Sequence, residues 1–101
     1  MNLIPQAYQR LFPNKEFSYQ SEMEYNRRLS PFNGNIRLHH NTIKVNLNLQ
    51  WKDIDDEIKI GLIQTLLVKV LRQKVSSPNI DLYHYFIKNI PTFTPKNKTN
   101  P

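Results

Sequence analysis

The sequence predicts an α+β domain in which a short helix and three strands precede a long apolar helix and a C-terminal helix (α-β-β-β-α-α). Two patterns predict this class. Apolar residues recur every three or four positions in residues 53–74, whereas they alternate with polar residues in residues 17–25 and 35–49. We expect the strands to form a three-stranded antiparallel sheet, with the helices packed over its apolar face.

The N-terminal quarter of the chain predicts one helix and one strand. Residues 3–12 have the spacing of a short amphipathic helix that ends at Pro13. Residues 17–25 then alternate between apolar and polar side chains, and Ser21 alone interrupts the alternation. This alternation predicts a strand that is buried on one face.

Residues 35–39 and 42–49 predict a β-hairpin. A two-residue turn at His40 and Asn41 would pair apolar residues with apolar residues across the two strands. A loop of three or four residues is an alternative, because His40 is less suited to a positive φ than Asn41 is. Residues 26–34 contain proline, asparagine and glycine, and they predict the loop that leads into this hairpin.

Residues 53–74 predict the central helix of the domain. Asp53 would cap its first turn, and Arg72 and Lys74 would lie at its C-terminal end, where cations are favoured. Gly61 indicates either a close approach by another element or a tolerated glycine. The predicted apolar face consists of Ile54, Ile58, Leu62, Ile63, Leu66, Leu67, Val70 and Leu71.

The C-terminal part of the chain predicts a last helix and a tail. Ser77 followed by a proline is a typical cap, and apolar residues at helical spacing predict a helix over residues 78–89. Pro91 would end the helix. Residues 91–101 contain three prolines and two lysines without periodicity, which indicates a flexible tail or linker. We therefore expect a single domain over residues 1–90.

The composition restricts the function classes. The 101 residues include no cysteine, which excludes disulfides and thiolate metal sites and is compatible with a reducing cytosol. The sequence has no apolar run long enough to span a membrane and no secretory leader, so we expect a cytoplasmic location and no membrane partner. The formal net charge is +6, and residues 58–101 carry all of the excess. A basic half is typical of nucleic-acid binding, and also of an ordinary solvated surface.

No pattern of catalytic or metal-binding residues occurs in the sequence. His39 and His40 are adjacent, so their side chains would point apart on a strand, and His84 stands alone. The acidic run that begins at Asp53 is explained by helix capping. We therefore expect no cofactor, no metal site and no enzymatic activity. A Ser/His/Asp site assembled by the fold is the remaining enzymatic alternative.

Basic and aromatic residues together suggest the best candidate binding site. A loop and the polar face of the hairpin would bring them together, where they could hold phosphate and stack a base. A solvated sheet face is the alternative explanation. The candidate nucleic-acid-binding residues are Arg27, Arg28, Phe32, Arg37, His39 and Lys44. Among the remaining aromatic side chains, we expect His84 and Tyr85 to be exposed.

Five stretches resemble the N-terminal region of some archaeal SprT-like zinc metalloprotease-type proteins. They are LFPNKEFSYQ, FNGNIRL, LQWKDIDDEIKIGLIQTLL, PNIDLYHYFIKNI and TPKNKTNP. In that family this region precedes the metal-binding domain. The HExxH pair of the family has no counterpart here, and GLIQTLLV stands where a zinc-binding helix would carry it. The resemblance implies a non-catalytic accessory or truncated domain, whose partner would be a downstream metalloprotease domain; the alternative is a small basic nucleic-acid-binding module.

The predicted sheet also suggests a site for protein partners. A strand at the edge of a sheet has backbone N–H and C=O groups without partners, and these can bind a further strand. Strand 17–25 or strand 42–49 would lie at that edge. Dimerisation through it is a hypothesis, and the sequence leaves the oligomeric state open.

Overall fold

The computed structural model describes residues 2–90, so the predicted tail at residues 91–101 lies outside the described residues. The described part confirms the α+β class and the order of the elements. It contains three α-helices, a short 3-10 helix and a three-stranded sheet. The elements are α1 (Ile4–Leu11), β1 (Gln20–Asn26), β2 (Gly34–His39), β3 (Thr42–Asn48), the 3-10 helix (Leu49–Asp53), α2 (Asp56–Val70) and α3 (Pro78–Asn89).

The sheet is mixed, so the prediction of an antiparallel sheet was wrong. Its strand order is β1-β3-β2, with β3 parallel to β1 and antiparallel to β2. Of the two strands expected as alternatives for an edge, β1 lies at one edge of the sheet, whereas β3 occupies the centre. Alternation identifies the faces of a strand but is the same for either direction, so the sequence pattern contains no information on this pairing.

The side chain of Asn48 holds the loop that makes this strand order possible. Residues 27–33 run from the end of β1 to the start of β2, and β3 then fills the gap between the two strands. The amide nitrogen of Asn48 donates to the Leu29 carbonyl at 2.8 Å, and its oxygen accepts from the Phe32 N–H at 3.2 Å. Asn48 is buried, so these two bonds satisfy polar atoms that water does not reach.

The hairpin has the two-residue turn. His40 and Asn41 both have positive φ, 49° and 60°, which is the conformation of a type I′ turn. His39 pairs with Thr42, and the register continues to Gly34 opposite Leu47. This register confirms the predicted pairing and excludes the longer loop. It also buries the three apolar side chains of β3 completely against the helices.

Helix α2 is shorter than predicted, and it is not a long apolar helix. Residues 49–53 form a separate 3-10 helix, so the N-cap of α2 is Asp55, which accepts from the Glu57 N–H at 2.9 Å, rather than Asp53. At the other end, Arg72 takes a φ of 54°. The N–H of Gln73 bonds to the Val68 carbonyl, which closes the helix in the manner of a Schellman motif.

Helix α2 is buried around its circumference instead of on one stripe. Leu66 and Leu67 are buried as predicted, but so are the polar side chains of Lys59 and Gln64. Helix α1, helix α3 and the sheet all pack on it. The apolar periodicity of the sequence therefore identified the helix but not the polar residues that its neighbours cover.

The buried side chain of Gln64 joins the three helices. Its amide nitrogen donates to the Ala7 carbonyl of α1 at 3.1 Å, and its amide oxygen accepts the hydroxyl hydrogen of Ser77. The Ser77 oxygen in turn accepts from the Ile80 N–H at 3.0 Å, which confirms Ser77 as the cap of α3. One amide thus satisfies a carbonyl in α1 and positions the start of α3.

Gly61 lies where α2 and α3 approach most closely. A Cβ atom at this position would overlap the carbonyl oxygen of Asn79 and lie 2.8 Å from the Cβ of Tyr83. Of the two explanations that the sequence leaves for Gly61, the close approach is the one present, and the obstacle is mainly backbone, which cannot move aside as a side chain can.

An outer hydrogen-bonded group reinforces the same junction. The Arg10 guanidinium contacts both carboxylate oxygens of Glu57, at 2.6 and 3.3 Å, and the Asn79 amide donates to Glu57 at 3.0 Å. The hydrogen bonds from Arg10, and then that from Asn79, lower the pKa of Glu57. This contribution to stability is therefore present at neutral pH and is lost as acid protonates Glu57.

Replacing Gln64 by leucine should lower the free energy of unfolding by about 1–3 kcal/mol, because the Ala7 carbonyl and the Ser77 hydroxyl lose their buried partner. Chemical denaturation measures the loss. A double-mutant cycle with Ser77→Ala should show coupling, because the two side chains share one hydrogen bond. Additive losses in the cycle would contradict the network.

Gly61→Ala should lower the free energy of unfolding by about 1–3 kcal/mol, because the new methyl group would force α2 and α3 apart. Thermal unfolding followed by circular dichroism measures this loss. Gly34→Ala is the matched control. There the added Cβ meets mainly the end of the Leu47 side chain, at 2.8 Å, which can rotate away. An equal loss in both variants would contradict the assignment of Gly61 to a backbone contact.

Candidate functional site

The face of the sheet that points away from the helices is called the open face below. Its side chains alternate with the apolar ones that contact the helices, and none of them is buried. It carries Gln20, Glu22 and Glu24 from β1, Thr42, Lys44 and Asn46 from β3, and Asn35, Arg37 and His39 from β2.

The turn end of the open face is basic. Arg37 lies directly opposite Lys44 in the register of β2 and β3, and His39 lies opposite Thr42. These four residues and His40 line an open depression, which is called the hairpin depression below. The rings of His39 and His40 lie 3.9 Å apart between centroids. The depression therefore combines two permanent cations with imidazole and hydroxyl groups that can donate hydrogen bonds.

The strand on the other side of β3 is acidic. The Lys44 ammonium lies 3.9 Å from Glu22 and 3.7 Å from Glu24. More than a third of each of these side chains is exposed, so pairs of this length contribute at most about 1 kcal/mol each. Lys44 can therefore exchange these carboxylates for another anion at little cost. Across the sheet, the charge changes from negative on β1 to positive on β2.

The structure brings three of the six predicted site residues together and places the other three elsewhere. Arg37, His39 and Lys44 share the hairpin depression. Arg27 and Arg28 are exposed and follow Asn26, at the opposite end of the sheet from the turn. Asn26 pairs with a residue four positions beyond Lys44 on β3, a separation of about 13 Å along the strand.

Phe32 lies on the helix side of the sheet. Its ring centroid is 5.3 Å from that of Trp51 and 5.8 Å from that of Phe86, and all three rings belong to or pack against the core. The residue takes a φ of 56°, and its N–H is held by Asn48. The ring therefore packs against the core rather than on the open face, where it would be needed to stack a base.

His40 and Thr42 line the hairpin depression, and sequence reasoning did not name them as candidates. The predicted two-residue turn already paired Thr42 with His39, so Thr42 could have been named as a neighbour of a candidate site residue. His40 was considered only as a turn residue. Its positive φ brings its ring against that of His39, which a pattern of alternation does not show.

Lys59 is a buried amine outside the open face. Burial alone would lower the pKa of Lys59, but hydrogen bonding to Tyr25 at 3.0 Å and the Asp56 carboxylate at 3.4 Å outweigh it, and the pKa is raised. The Lys52 carbonyl also accepts from this amine, at 3.3 Å. Lys59 is therefore a charged residue that stabilises the fold through these contacts, rather than a nucleophile.

The remaining candidate chemistry is sparse in residues 2–90. Within them, no group of three or more His, Cys, Asp or Glu side chains is arranged to hold a metal ion. On α3, His84 and Tyr85 are exposed, as expected from the sequence, and Tyr85 is 69% exposed. Neither residue lines the hairpin depression, and His84 instead lines a separate depression between α2 and α3.

Comparison of the chain with protein families, with curated proteins and with solved structures finds no match. None of the helices formed by the described residues has the length and apolar character needed to cross a bilayer.

Proposed function

We propose that this chain is a small non-catalytic module that binds the phosphate groups of nucleic acid in the hairpin depression. The pairing of Arg37 directly opposite Lys44 supports this function most strongly. Two cations on adjacent strands lie close enough to contact one phosphate or two successive ones. Both residues point away from the helices, so they are available without any change in the fold.

The side chains that line the hairpin depression would contact phosphate in different ways. The planar guanidinium of Arg37 can contact two phosphate oxygens at once, whereas the ammonium of Lys44 acts as a point charge. The hydroxyl of Thr42 and the imidazole N–H groups of His39 and His40 can donate further hydrogen bonds. Glu22 and Glu24 repel phosphate, so they confine the binding surface to the β2 side of the sheet.

Binding of this kind is independent of base sequence. The open face carries no phenylalanine, tyrosine or tryptophan, and Phe32 packs against the core. Phosphate contacts determine position and affinity, whereas base contacts are needed for sequence specificity. We therefore propose contact with the nucleic-acid backbone, in the cytoplasm, as the activity of this surface.

We also propose that the module is an accessory or truncated region of an archaeal SprT-like zinc metalloprotease-type protein. The support is the sequence resemblance together with one structural feature: β3 leads through Trp51 into α2, the order in which many zincins present their metal-binding helix. In α2 the segment GLIQTLLV contributes Gly61 and Gln64, which have structural roles. Both proposals agree on a non-catalytic module, and they differ in the partner.

Affinity for single-stranded or duplex DNA should fall steeply with salt, with a log–log slope of about −0.7 to −0.9 per phosphate neutralised. Replacing Arg37 and Lys44 by alanine should flatten this slope by about one to two units, because two counterion-releasing contacts are lost. Fluorescence anisotropy at several salt concentrations measures both slopes.

Two further variants test where the contact lies. Arg27→Ala with Arg28→Ala removes the same charge from exposed residues at the other end of the sheet, and it should leave the slope unchanged. Glu22→Gln with Glu24→Gln removes the competing carboxylates, and it should tighten binding. The hairpin depression would be rejected as the site if the Arg27/Arg28 variant flattened the salt slope as much as the Arg37/Lys44 variant does. Absence of binding at low salt would reject it too.

The accessory-domain proposal predicts that the gene encodes an HExxH sequence downstream of residue 101. Sequencing the complete reading frame from genomic DNA provides the measurement. A long downstream region without this pair of histidines and its glutamate would contradict the relation to SprT-like proteins, and it would leave the nucleic-acid proposal unaffected.

A further inference from the structure

Strand β2 has a free edge that is suited to pairing. In a two-residue hairpin the residues flanking the turn form a hydrogen-bonded pair, so His39, Arg37 and Asn35 bond to β3. The N–H and C=O groups of Ile36 and Leu38 therefore point outwards. Within residues 2–90, no hydrogen bond from another element reaches them. Leu38 is 36% exposed on this edge.

Strand β1, at the other edge, is protected against pairing with a further strand. The Asn2 amide donates to the Ser21 carbonyl at 3.2 Å and covers the start of the edge. Glu22 and Glu24 lie two positions apart on the open face. Any antiparallel pairing of β1 with a second β1 that includes Met23 would place glutamates opposite each other, and like charges directly opposite destabilise a sheet.

We propose that two copies of this chain associate by pairing β2 with β2, antiparallel, around a twofold axis at Ile36. Ile36 then forms a hydrogen-bonded pair with its own copy, and Gly34 pairs with the partner's Leu38. The two sheets join into one sheet of six strands, and the helices of both copies lie on the same side of it.

The charges on the open face select this register. It places Asn35 opposite the partner's Arg37, an uncharged polar group against a cation. If the partner's β2 were displaced by two residues towards the turn, Arg37 would lie opposite the partner's Arg37, and the two cations would repel each other. A shift the other way would require Phe32, whose φ of 56° is not that of a strand, and would shorten the ladder. The register centred on Ile36 avoids both penalties.

The association is weak and concentration-dependent, because two strands of five residues bury less than the roughly 1,200 Å² typical of stable interfaces. It does not rest on the proposed function. In the dimer the two hairpin depressions share one continuous open face. The pairing is made by backbone groups, and Arg37, a proposed phosphate contact, enters only through the choice of register.

Sedimentation of the full chain at concentrations up to about 1 mM tests the pairing. The wild type should shift from monomer to dimer as concentration rises. Asn35→Lys sets two lysines against the partner's Arg37 residues and should weaken association about tenfold, whereas Asn35→Glu should strengthen it by a similar factor. Asn35 is exposed, so both variants should fold as the wild type does.

Disulfide trapping tests the axis, because the chain has no cysteine of its own. Ile36→Cys should form a covalent dimer under mild oxidation, since paired strands place the two Cα atoms about 5.5 Å apart. Met23→Cys, at the matching position of β1, should not. Monomers of the wild type and Asn35→Glu at every concentration, or equal trapping of both cysteine variants, would overturn the proposal.

Discussion

The amide of Gln64 is the polar interaction on which the helical layer depends. It is fully buried, and an amide without partners in such a place costs several kilocalories per mole. Its nitrogen is satisfied only if the Ala7 carbonyl of α1 lies against α2, and its oxygen only if Ser77 begins α3 at the right place. The three helices therefore assemble in one arrangement. That arrangement covers one face of the sheet and leaves the other face to solvent.

The sequence predicted the structure correctly where residues that are close in the sequence also contact each other in the fold. The hairpin register followed from parity, because a two-residue turn matches the apolar residues of the two strands, such as Ile36 with Val45. Ser77 was predictable because a helix cap demands a particular residue type, whereas for Gly61 the sequence left both a close approach and a tolerated glycine open. The order of the strands was not readable, since the contacts of Asn48 that hold residues 27–33 join positions far apart in the sequence. Likewise, Asp53 and Asp55 are equally good caps until the 3-10 helix decides between them.

The residues of the candidate site also fall into those that local pairing predicts and those whose position depends on tertiary contacts. Arg37, His39 and Lys44 were predicted together because cross-strand pairing is set by the hairpin, and they do share one depression. Arg27, Arg28 and Phe32 belong to a loop whose path depends on tertiary contacts. The positive φ of Phe32 and its packing on Trp51 have no counterpart in the alternation of polar and apolar residues.

The parallel pairing of β1 with β3 has a consequence for synthesis on the ribosome. Gln20 finds its partner at Thr42, which is translated about one to four seconds later at ordinary elongation rates. During this interval the nascent chain carries a complete strand with neither edge paired. Glu22 and Glu24 give this unpaired strand two negative charges, which disfavour its pairing with the same strand of another chain. The same carboxylates that lie beside Lys44 in the folded protein thus also disfavour pairing between unpaired β1 strands.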